Sequence, residues 1–111
     1  MQQQWYSVRS IFRRDRIEEG KLVRLFEERV VVFRAASGEE ALAKGRAEAQ
    51  RYAASETQPT MLDHVVAFGT WAEELREGEE VWSCLRELDI SDADYLDRFY
   101  EGERLGLRHF E

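Results

Sequence analysis

Residues 5–13 alternate in character. Tyr6, Val8 and Phe12 fall on one side of an extended chain, and Trp5, Ser7, Arg9, Ile11 and Arg13 on the other. Period-two alternation in aromatic and β-branched residues predicts a strand. Residues 14–21 are polar, contain Gly20 and read as a loop. A second strand is predicted over 22–35, where Val30-Val31-Val32-Phe33 is apolar on both sides, the pattern of a strand covered on both faces. The connection between the two is short, so they form a hairpin.

Ser37-Gly38-Glu39-Glu40 has the form of a capping box, in which Ser37 accepts from the amide of Glu40 and the Glu40 carboxylate reaches back to the amide of Ser37. A helix over 38–55 follows. At a helical period Ala41, Leu42, Gly45, Ala49, Tyr52 and Ala53 share one face, smooth enough to lie close on a sheet. Glu40, Lys44 and Arg51 lie opposite. Thr57-Gln58-Pro59-Thr60 ends the helix. A third strand is read over 61–72, an acidic turn with Gly78 over 73–80, and a fourth strand over 81–88, where Val81, Ser83 and Leu85 alternate with Trp82, Cys84 and Arg86. Ser91-Asp92-Ala93-Asp94 starts a second helix, which places Tyr95, Leu96, Phe99 and Tyr100 on one arc and stops at Gly102; the tail carries Leu105, Leu107 and Phe110 for docking. The expected fold is α+β in the order ββαββα: a mostly antiparallel four-stranded sheet with a helix packed on one face, residues 1–111 forming a single domain.

Charge alters this picture more than composition does. The 111 residues are 43% hydrophobic with one proline, which excludes a wholly disordered chain. The formal charge is −7, which argues against general affinity for nucleic acid or an anionic membrane. Residues 1–36 nevertheless hold eight basic against five acidic groups, and residues 37–111 eight against 18. Such asymmetry is able to align two copies head to tail or to steer a charged partner, though chance on a heavily charged surface is the plainer reading. Cys84 is the only cysteine, no window approaches a membrane span, and Met1-Gln2-Gln3-Gln4-Trp5-Tyr6 has no apolar signal core, so a cytoplasmic protein is expected.

Trp5-Tyr6-Ser7-Val8-Arg9, residues 28–35 (Glu-Arg-Val-Val-Val-Phe-Arg-Ala), residues 39–44 (Glu-Glu-Ala-Leu-Ala-Lys) and residues 80–86 (Glu-Val-Trp-Ser-Cys-Leu-Arg) together resemble the bacterial domain of unknown function 4288 family. The resemblance spreads over residues 5–100. It implies a small bacterial protein and carries no catalytic motif or site residue across.

The residues hold no phosphate-binding glycine loop, cysteine pair, histidine pair at metal spacing or nucleophile elbow, so no catalytic or metal site and no cofactor is expected. Cys84 with His64 would make a nucleophile pair only if their strands were neighbours, and a lone strand cysteine reads better as packing. His109 lies in a separate element. The run Asp89, Asp92, Asp94, Asp97 lacks the glycine and terminal glutamate of a calcium loop.

The candidate interaction residues are Trp5, Arg9, Ile11 and Arg13, which alternate onto one face of the first strand. With two helices to cover two partly apolar sheet faces, the leading expectation is a non-enzymatic interaction module that forms a homodimer, with room for another protein partner. A second reading is a small ligand-binding protein or enzyme with a site on the sheet built from Tyr6, Arg9, Arg34 and Tyr52. A third is a nucleic-acid binder through the basic hairpin, with Arg14 and Arg16 beyond the four.

Overall fold

The alternation of the first strand runs further than residue 13. In the computed structural model, which describes residues 2–100, β1 spans Gln4–Glu18 and β2 spans Lys21–Ala35, paired antiparallel from Gln4↔Ala35 to Glu18↔Lys21. The expected loop over 14–21 shrinks to the two residues between the strands. Glu19 (φ 52°) and Gly20 (φ 79°) both have positive φ, as the hairpin turn that matches strand twist requires. The polar character of 14–16 belongs to a strand that water reaches from both sides.

The helix α1 spans Gly38–Ala53, with Ser37 as its cap. Ser37 Oγ accepts from the Glu40 amide at 3.2 Å, while the Glu40 carboxylate accepts from Ala36, one residue before the amide expected, at 3.3 Å. Ala41, Gly45 and Ala49 are its buried residues, as the smooth face predicts, and Glu40 and Lys44 pair at 3.3 Å on the outside. β3, Thr60–Gly69, lies antiparallel to β1, with a register shift between Ser10 and Phe12. The sheet order is β2-β1-β3. α1 packs on the face that carries Tyr6, Val8 and Phe12, and the core gathers Val8, Ala35 and Ala41 with Tyr6, Phe33, Val65 and Ala67 against them.

The expected fourth strand over 81–88 is absent. Among the described residues the sheet has three strands, and the elements run ββαβα. Residues 81–88 cross the sheet instead of joining its edge. Ser7 Oγ donates to the Val81 carbonyl, and Trp82 packs edge-on against Phe68 with ring centroids 6.3 Å apart. One large ring captured on the sheet face outweighs the alternation around it. α2, Asp92–Tyr100, begins where Ser91 Oγ accepts from the Asp94 amide at 3.1 Å, and none of its residues is buried. Gly102, His109 and the docking tail of Leu105, Leu107 and Phe110 lie outside the described residues.

Candidate functional site

Alternation along β1 gives the sheet two unlike faces. On the α1 face the end of the helix is clasped by charge. Arg29 makes two hydrogen bonds to Glu48, at 3.0 and 3.1 Å, and its guanidinium carbon lies 3.6 Å from the centre of the Tyr52 ring. The Tyr52 hydroxyl donates to Glu27 at 2.7 Å and accepts from Arg14 at 2.5 Å. Desolvation first, then the carboxylate of Glu27, holds the Tyr52 hydroxyl above its ordinary pKa, against the lowering pull of Arg14. Every group in the cluster is answered by another. It is a fastening between helix and sheet, and the sequence reading identified Tyr52 and Arg14 without their partners Glu27, Arg29 and Glu48.

The other face carries Trp5, Arg9, Ile11 and Arg13, all half-buried and aligned as the alternation predicts. Trp5 is tied at its backbone: its amide donates to Ala72 at 2.8 Å and its carbonyl accepts from Thr70 at 3.1 Å. Arg9 sits between aromatic rings, 5.5 Å from the centre of Phe68 and 5.8 Å from that of Trp82, and donates to His64 Nε2 at 3.0 Å. Arg13 Nε is 3.3 Å from Asp15. Beside Arg9 a cleft of about 290 Å³ opens between Glu28, Val30, Arg86 and the two rings Phe99 and Tyr100. Arg9 Nε and Trp82 Nε1 are enclosed there without an acceptor among the described residues. The four proposed ligand residues do not converge: Tyr6 and Tyr52 are on the α1 face, while Arg34 pairs with Trp5 and, with Arg9, belongs to the other. No hydrogen bond joins Cys84 to His64 among the described residues. Cys84 is exposed, not packed as expected.

A surface the sequence reading missed lies further along the same face. β3 leaves β1 at Arg13↔Thr60, and beyond that point β1 and β2 continue as a two-stranded ribbon for about 16 Å, at roughly 3.3 Å per residue. On its face opposite α1, Ile17 pairs with Leu22 and Arg13 with Phe26. Ile17 is 70% exposed, Leu22 54% and Phe26 65%, with the Asp15–Arg24 pair between them. The signal was present in Ile17 and Leu22, placed symmetrically about Glu19-Gly20 where a non-hydrogen-bonded or hydrogen-bonded cross-strand pair would fall. At the opposite end of the molecule, residues 70–80 form an acidic loop with Trp71 84% exposed and Leu75 open beside it.

No helix among the described residues is long and apolar enough to cross a membrane. No family model, curated protein or solved structure matches the chain.

Proposed function

We propose that this chain is a non-enzymatic interaction module that associates with itself through the sheet face opposite α1, with the hairpin ribbon as its principal contact. The observation that carries the reading is the exposure of Ile17, Leu22 and Phe26, apolar side chains on either side of the Asp15–Arg24 pair on a projecting ribbon that no other described element covers. Isolated two-stranded ribbons are marginal in water, and contiguous exposed apolar surface marks association sites. A homodimer buries it with the commonest oligomer symmetry. Bacterial origin, a cytoplasmic setting and kinship with the domain of unknown function 4288 family form part of the same reading, since that resemblance carries no catalytic motif.

The other readings have less behind them. The hairpin arginines that would hold phosphates face acids or rings of their own chain: Arg13 and Asp15, Arg14 and Glu27, Arg16 and Glu18, Arg9 and Phe68. The cleft beside Arg9 has Glu28 in its wall, and its two unbonded donors are buried away from its opening. Sedimentation of the parent chain and of Phe26→Ser tests the proposal. The parent should sediment as a dimer and the variant as a monomer with an unchanged far-ultraviolet spectrum, because Phe26 touches the partner and contributes little to the fold. Equal sedimentation of the two as dimers would remove the ribbon from the interface.

A further inference from the structure

Two ends of the molecule differ in relief, in charge and in what they leave exposed. β1 and β2 have 15 residues each, about 50 Å of strand, and the longest dimension of the molecule is 54 Å. At the Trp5 end, the face opposite α1 is raised by a layer of chain, because residues 80–82 lie across Ser7, Arg9 and Phe68. At the Gly20 end no described element covers the same face. The open end is the ribbon, whose face opposite α1 carries Arg13 and Arg24 against one acid, Asp15. Arg13 and Arg24 share Asp15, at 3.3 and 3.9 Å, so one positive charge on this face is left over. The raised end is the acidic loop, where residues 71–80 hold five glutamates against one arginine, Arg76, which pairs with Glu74. Each end also offers exposed apolar side chains: Ile17, Leu22 and Phe26 on the ribbon, Trp71 and Leu75 on the loop.

A face that is raised and acidic at one end, and apolar with Arg13 and Arg24 at the other, is complementary to itself after a half-turn. We propose that two copies pack face to face about a twofold axis perpendicular to β1, so that each ribbon lies on the acidic loop of the other copy. This rests on the self-association reading above and specifies its geometry. The twofold operation makes both ribbon-to-loop contacts at once and closes the pair, whereas a single head-to-tail contact would continue into a filament. Apolar anchors meet apolar anchors at the centre of each contact, and Arg13 and Arg24 meet glutamates at its rim. Rim charge of opposite sign sets orientation and rejects the parallel arrangement, in which ribbon would face ribbon.

Disulfide trapping tests the arrangement. In a Cys84→Ser background, Leu22→Cys and Leu75→Cys are introduced together and singly. Within one chain these sites cannot meet, because Leu22 pairs with Ile17 while the loop is tied to Trp5, about 40 Å along β1 at roughly 3.3 Å per residue, and a disulfide needs Cα atoms within about 7 Å. The expected result is rapid covalent dimer in the double variant, and none in either single variant. Light scattering before oxidation reports the state of each variant. Dimers that cross-link through Leu22→Cys alone would show ribbon against ribbon; they would overturn this geometry and leave self-association standing. Dimers in which the double variant does not cross-link would overturn it likewise. A parent chain that is monomeric would overturn both.

Discussion

Gly45 and Tyr52 show how single residues decide the packing of α1. A Cβ built on Gly45 would lie 2.3 Å from Val8 Cγ1, so the helix sits on the sheet at a distance that only glycine permits. Gly45→Leu should therefore destabilise the protein by about 1–3 kcal/mol through overpacking, read as a lower urea midpoint. Unchanged unfolding would mean that the helix does not rest on Val8. Tyr52 makes a pH prediction. Its folded pKa is raised above the ordinary 10.0, so its contribution is fully present below 10.0 and is lost as pH rises through the folded value. The stability advantage of the parent over Tyr52→Phe should be constant below pH 10.0 and shrink above it. An advantage that stayed constant into that alkaline range would show that the hydroxyl bond to Glu27 carries no differential ionisation. The apolar face of α1 was legible because Ala41, Gly45 and Ala49 recur at helical spacing. The clasp of Arg29 with Glu48 was not, because a cross-element ion pair leaves no periodicity in the chain.

Among the elements, those held by local rules were readable and those held by tertiary capture were not. The alternation of β1, the cap at Ser37 and the cap at Ser91 depend on neighbours within four residues, and each appears where the chain suggests it. Residues 81–88 alternate as a strand does, yet Trp82 settles on Phe68 and Arg9 and draws the backbone over the sheet, a choice made by residues far away in sequence. The ribbon was misread for a different reason. Residues 14–16 are polar, and polarity resembles a loop unless the turn is recognised. Glu19 occupies a positive-φ position that asparagine tolerates better, so Glu19→Asn with Gly20 retained should stabilise the fold by a few tenths of a kcal/mol, roughly the scale of a turn preference, read as a higher urea midpoint. A lower midpoint would mean that the Glu18 to Lys21 connection is not the turn described.

For the molecule as a whole, the candidate face was legible and its most exposed part was not. Trp5, Arg9, Ile11 and Arg13 do share a face, but Arg9 is occupied by Phe68, Trp82 and His64, and the open apolar surface lies beyond Arg13 on Ile17, Leu22 and Phe26. The difference in charge between the first 36 residues and the rest now has a spatial meaning, since the basic ribbon and the acidic loop stand at opposite ends of the long axis. Exposed charge of this kind is screened by salt over about 8 Å at physiological ionic strength, while apolar contact is not, so an interface that combines the two should weaken with salt without dissolving. The central claim is that the chain exists as a pair. Light scattering on the unmodified protein at micromolar concentration measures this directly: the account predicts twice the 13.1 kDa of one chain, and a constant 13.1 kDa across that range would contradict it.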